Sequence, residues 1–207
     1  MSRHQAPYQV RHALSDDLPG ARSLILDTLY REFGYGYVPR WHADVIDLAG
    51  AYLDHPRHAL VVAVLDGEVV GTTAVNSAGP AHPPHPRHLA ERYPSGPTAQ
   101  LLRVYVRAEH RRHGLARRMV QLARAFVAEE GGYDRIYLHT NTDVPGAEPF
   151  WRALAEEVFD ARPSGEHGPW VSTVHFEIPL PPRAAPASSA PPRPCTAGWP
   201  RRAPRSA

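Results

Sequence analysis

The sequence contains no lysine, so all 23 of its cationic side chains are arginine. Its one cysteine, Cys195, excludes an intrachain disulfide. That cysteine falls in a C-terminal stretch with no expected folded pocket, which argues against a nucleophilic role. No segment approaches the ~18 consecutive apolar residues of a membrane span. The first residues, with His4, Gln5 and Pro7, lack the apolar core of a secretory leader. A cytoplasmic protein with no membrane partner is the expectation. Acids are missing from residue 179 onward, whereas five arginines lie there. Residues 1–178 then hold 18 arginines against 21 acids, a net charge of −3, and the overall +2 belongs to the tail. A nucleic-acid binder needs a basic folded part, so nucleic acid is not an expected partner.

What is present points to one globular domain. The 207 residues are 43% hydrophobic, enough for a substantial core. From residue 179 on, nine of 29 residues are proline, with alanine, serine and arginine making up much of the rest. Such a segment buries too little apolar area to offset its ordering entropy. The expected division is a folded domain over 1–178 and a disordered tail over 179–207.

The most informative stretch is Arg111-Arg112-His113-Gly114-Leu115-Ala116. An apolar, β-branched run over 101–106 precedes it. A helical pattern follows, with Leu115, Met119, Leu122 and Phe126 spaced by four, three and four. A helix start after a short basic turn presents unpaired amides and a positive dipole end, both suited to a phosphate. Gly114 removes a Cβ from the approach, and Ala116 keeps the first turn thin. The pattern reads as a pyrophosphate site.

Arg-x-x-Gly-x-Ala at 111–116 resembles the (Gln/Arg)-x-x-Gly-x-(Gly/Ala) signature of the GCN5-related N-acetyltransferases, the GNAT family. A hairpin at 59–75 with Asp66-Gly67 at its turn lies where that fold places its second and third strands. The run 135–140 reads as the fifth strand. Ala147-Glu148-Pro149-Phe150-Trp151 resembles the family's Ala-x-x-Phe-Tyr helix start. The resemblance covers roughly 8–178 and implies an α/β (α+β) fold. That fold is a mixed, twisted sheet of six to seven strands with about four helices, splayed between its fourth and fifth strands.

The remaining segments fit that frame. Residues 8–13 read as a first strand, and Ser15 or Asp16 caps a helix containing Leu18, Leu24, Ile25 and Leu29. The glycines and proline of 34–39 break it, and 41–53 supply a second helix. The resemblance implies that this wall shapes the acceptor pocket. Phe33, Tyr35, Tyr37 and Trp41 are therefore either substrate contacts or core and surface filler. Residues 76–99 read as a long loop between strands. His82, His85 and His88 are spaced by three within it, but Pro83, Pro84 and Pro86 argue against a helix that would align them on a metal. No metal site is expected. The helix after Gly114 ends at Gly131-Gly132, another occupies 146–157, and strands near 158–161 and 170–178 pair through a turn at 163–165.

The resemblance implies acetyl-CoA as co-substrate and an amine attacking it directly. Backbone groups of Val104, Tyr105 and Val106 meet the pantetheine arm, the Val104 N–H polarising the thioester carbonyl. Arg111, Arg112, His113, Gly114, Leu115 and Ala116 hold the pyrophosphate. Asn141 either bonds the arm or serves a turn. Two departures concern proton transfer. A glutamate base used by some members is here Gln100, and the tyrosine acid is here Trp151. Replacement bases are His139, Glu148, Asp143 and Tyr105, with His139 and Glu148 placed first. A small-molecule amine is the expected acceptor of a monomer or homodimer, with a non-catalytic acyl-CoA-binding module or a protein N-acetyltransferase as the rival readings.

Overall fold

The computed structural model describes residues 7–163 and 172–180. Seven strands form one sheet: β1 (Gln9–His12), β2 (Ala59–Leu65), β3 (Glu68–Asn76), β4 (Thr98–Val106), β5 (Arg135–Asn141), β6 (Glu156–Asp160) and β7 (Thr173–Ile178). Their order is β1-β2-β3-β4-β5-β7-β6. Every neighbouring pair is antiparallel except β4–β5. Five α-helices accompany them: α1 (Leu18–Asp27), α2 (Pro39–Ile46), α3 (Arg87–Arg92), α4 (Leu115–Glu130) and α5 (Ala147–Arg152). The expected mixed α/β sheet is observed.

Local chemistry explains the elements that the sequence makes plain. β2 and β3 are buried along nearly their whole length, as β-branched runs covered on both faces should be. Asp66 and Gly67, with φ of +50° and +85°, form the tight turn between them. Gly131, at φ +73°, stops α4.

Four boundaries differ from expectation, each for a physical reason. Asp17, rather than Ser15 or Asp16, secures the start of α1. Its carboxylate accepts the Leu14 N–H at 2.7 Å and pairs with Arg11. The second helix is kinked at His42 and broken at Asp47, whose backbone (φ −127°, ψ 75°) leaves helical geometry before the chain continues as a π-turn at Ala49–Leu53. The loop after β3 contains α3, which Pro86 introduces as a rigid extended residue before Arg87. The helix expected over 146–157 ends at Arg152, and Glu156 already belongs to β6. Trp170, most of the expected 163–165 turn and nearly all of the tail lie outside the described residues.

Two apolar layers sandwich the sheet. On one face α4 and Trp151 pack with Val61, Leu101, Ile136, Leu138 and Phe176. On the other, α1, Val45, Leu48 and Tyr52 cover Leu60, Val62, Val64 and Ala74. A smaller cluster, Leu89, Tyr93 and Tyr137, extends the second face beneath β5. Side chains alternate along β4, so Val104 and Val106 join the α4 layer while Leu102 and Tyr105 join the other. This division sets which groups meet on either side of the strand.

Candidate active site

The parallel pairing of β4 with β5 is short. Thr98, Ala99 and Gln100 face Arg135, Ile136 and Tyr137, and the ladder stops there. On its other edge β4 remains paired with β3 as far as Val106. The register slips between Thr72 and Ala74, where Arg103 sits at φ +54°, an extra residue that bends the strand. The Thr72 hydroxyl fixes the bend by donating to the Arg103 carbonyl at 2.8 Å. The second half of β4 therefore has an open edge facing the diverging end of β5.

The Arg107 N–H donates to Val70 in β3 at 2.9 Å. Alternation then turns the Val106 carbonyl toward the open edge, where the Arg111 Nε donates to it at 2.9 Å. The Arg111 Nη2 also reaches both oxygens of Glu32 at 2.5 Å. Arg111 thus ties the turn after β4 to Glu32, the last residue of the π-helical turn Thr28–Glu32 that continues α1.

The turn itself is built for exposed amides. Arg112 and Gly114 both adopt left-handed geometry, φ +67° and +72°, before α4 begins at Leu115. Among the described residues, the N–H groups of 112–117 have no protein acceptor. A Cβ on Gly114 would meet nothing within 4 Å, so its backbone angle, not crowding by protein, is what demands glycine. The His113 Nδ1 donates to the Arg111 carbonyl at 2.9 Å, and its ring lies against Tyr8. Arg112 and Arg117 are exposed, with no ion pair among the described residues. These groups meet the requirements of a pyrophosphate: clustered donors at the positive end of a sixteen-residue helix, with two uncommitted cations beside them.

The opposite face of β4 carries groups the sequence reading did not assemble. Arg103, 9% exposed in its side chain, forms a bidentate pair with Asp44 at 2.7 and 3.1 Å. It also donates to the Trp41 carbonyl. The Tyr52 hydroxyl donates to the same carboxylate at 2.7 Å. Burial alone would raise the Asp44 carboxyl, but Arg103 and Tyr52 hold it below the usual carboxylate range. A cavity of about 350 Å³ lies alongside, lined by Asp44, Asp47, Tyr52, His58 and Asn76 among others. Burial keeps His58 below the ordinary imidazole range, its ring bonded to Ala51 and Ser77. The visible signal was a charge inside the apolar run 101–106, which needed a buried counter-ion.

The proposed proton acceptors separate clearly. His139 projects from β5 two residues past the last pair with β4, and it is exposed. Its ring centroid lies 4.5 Å from that of His85 and 5.9 Å from that of His175. The Tyr137 hydroxyl sits 2.7 Å from the His175 Nδ1, behind this group. His82 and His88 do not join it: His82 bonds the His85 carbonyl and His88 packs on Phe159. No three His, Cys, Asp or Glu side chains are disposed to hold a metal among the described residues.

Glu148 is paired with Arg152 and Arg162, which hold its carboxyl below the usual range. That arrangement makes it a poor proton acceptor. Burial pushes the Tyr105 phenol up. The Asn141 side chain accepts the Asp143 N–H at 2.8 Å and so serves the turn after β5. Trp151, 5% exposed, is a core residue packed edge-on to Phe150.

Comparison with known proteins agrees with this geometry. The sequence profile of the Acetyltransferase (GNAT) family matches residues 22–155. A GNAT-family acetyltransferase of Staphylococcus aureus Mu50 superposes with a TM-score of 0.64 at 15% identity, covering 84% of this chain and 100% of its own. The PaiA N-acetyltransferase of Thermoplasma acidophilum, solved with coenzyme A, gives 0.57 at 11%, covering 84% and 99%. YncA of Salmonella typhimurium, solved with acetyl-CoA as its cofactor, gives 0.57 at 12%, covering 88% and 99%. No curated protein matches the sequence. The open β4 edge, the amide-rich turn and the profile match together assign the chain to the GNAT acetyltransferase family.

Proposed function

We propose that this protein transfers an acetyl group from acetyl-CoA to the primary amine of a small molecule, in a complex holding both substrates. The observation that carries the reading is the early end of the β4–β5 ladder at Gln100 and Tyr137, beside a helix start with uncommitted amides. When bound, acetyl-CoA supplies an activated acetyl thioester. The amides of Arg112, His113, Gly114, Leu115 and Ala116 hold the pyrophosphate, joined by the Arg112 and Arg117 side chains. The Val104 N–H shares the open edge with the Val106 carbonyl, because residues two apart along a strand aim the same way. Fixed in the sheet, it polarises a carbonyl with little reorganisation.

His139 takes the proton from the acceptor amine. It stands on the face of β5 shared with Tyr137, just past the point where Gln100 replaces a carboxylate. Glu148 is committed to two arginines and is not used. Trp151 has no acidic hydrogen to give, so water protonates the departing thiolate. The test is thiol release from acetyl-CoA with a panel of small amines, paired with mass detection of the acetylated products. Product formation above the amine-free background supports the reading. Coenzyme A binding without any acetylated product would instead identify a non-catalytic acyl-CoA-binding module.

A further inference from the structure

On the acetyl-transfer reading above, we infer that the acceptor is an arylalkylamine: one amine carried on a flat aromatic body. The basis is a continuous row of rings that starts at Tyr105, the residue after Val104 in β4, and ends in solvent. Tyr105 follows Val104 on the strand and faces the opposite side of the sheet. Phe33 meets Tyr105 edge-on, with centroids 5.6 Å apart. Tyr35 lies 5.7 Å beyond Phe33 and stacks on His42 at an interplanar angle of 11°. Trp41 closes the row against His42 at 6.5 Å. The inner rings, Tyr105 and Phe33, are partly buried, while Tyr35 and Trp41 remain 52% and 48% exposed. Single exposed rings are ordinary, but a connected row leading to a reactive edge is a recognition surface.

Charge decides which kind of amine fits that surface. The carboxylates of this wall that lie nearest β4 are already spent on arginines. Asp44 pairs with Arg103, Asp27 with Arg107 at 3.0 Å, and Glu32 with Arg111. The Arg40 guanidinium sits 4.3 Å from the Trp41 ring centre, so a cation already occupies one face of that ring. Burial and the neighbouring Arg103 charge both disfavour a second positive charge at His42. A polyamine would find no free carboxylate along this row. An aromatic body finds faces and edges at stacking distance.

The experiment compares 2-phenylethylamine, tryptamine, butylamine and putrescine as acceptors, reading kcat/KM from thiol release with acetyl-CoA. The two aromatic amines should exceed butylamine by about tenfold or more. Tyr35→Ala, checked for folding by circular dichroism, should raise KM for 2-phenylethylamine about fivefold and narrow its advantage over butylamine. Equal kcat/KM for 2-phenylethylamine and butylamine would overturn the inference. A preference for putrescine would overturn it too, and would point to the cavity that holds Asp47. Absence of acetylated product with all four amines, while coenzyme A still binds, removes the catalytic reading and this inference with it.

Discussion

Arg103 and Asp44 form a bidentate ion pair that locks the bulge of β4 to helix α2. The pair lies almost out of water, with side chains 9% and 18% exposed. Arg103 reaches it only because its left-handed backbone turns an additional side chain toward the α2 face. The bend that frees the strand edge for a ligand is therefore held by a charge on one side and by the Thr72 hydroxyl on the other. Strain of this kind persists only where the surroundings fix it.

Removing one partner should be costly. Asp44→Ala leaves the Arg103 guanidinium and the Tyr52 hydroxyl buried without their acceptor. We expect a loss of about 3 kcal/mol in urea unfolding, together with weaker coenzyme A binding because the β4 bend relaxes. Asp27→Asn, at a pair roughly one-third exposed, should cost less than about 1 kcal/mol. Equal losses in the two variants would show that burial does not set the strength of these clamps.

The same pair predicts a pH dependence. Asp44 is held below its unfolded carboxyl range, so its contribution is complete above that range. Stability should fall as pH drops through the usual carboxylate range and below it. Asp17, held down by Arg11 and the Leu14 amide, acts in the same direction. In Asp44→Asn the acid-side decline in unfolding free energy should be shallower. An unchanged slope would remove Asp44 as a contributor.

Gly114 separates backbone geometry from ligand recognition. A methyl group there meets no protein atom, so Gly114→Ala loses only the ease of the left-handed conformation, about 1 kcal/mol. Gly114→Asp adds a carboxylate among the exposed amides and should abolish coenzyme A binding by calorimetry while the domain stays folded. Gly114→Asn, better suited to positive φ, should be more stable than the alanine variant. Undiminished affinity in Gly114→Asp would dismiss the turn as the pyrophosphate site.

Much of this architecture is local and therefore visible in the sequence. The Asp66-Gly67 turn, the spacing of Leu115, Met119, Leu122 and Phe126, and the stop at Gly131 each depend on neighbours within a few residues. Helix α3 is only six residues long and follows a proline-rich run, so it leaves little periodic signal. Long-range meetings leave none. His85 approaches His139 only because the chain after β3 folds back across β5. Asp44 and Arg103 are likewise joined only by tertiary packing. Their opposite charges show in sequence, but their proximity does not.

Glu148 illustrates how the structure reorders candidates that composition ranks together. Its carboxylate accepts from Arg152 at 2.8 Å and from Arg162 at 3.2 Å, so its lone pairs are engaged. Glu148→Gln should leave kcat/KM for a reactive amine within about twofold of the wild type, a change too small for the loss of a general base. A hundredfold decline would restore it to the proton-transfer role.

His139 should behave differently if it accepts the amine proton. Its ring is exposed at the splay, with the His85 and His175 rings 4.5 and 5.9 Å away, centroid to centroid. In His139→Gln, kcat should drop by about 10² or more while coenzyme A affinity is retained, and the ascending limb of the pH–rate profile should disappear. His85→Gln should keep that limb but shift it, because a neighbouring imidazole is lost without removal of the acceptor itself. A His139→Gln variant whose profile matches the wild type would assign the proton to water, with the imidazole serving only as packing beside the groove.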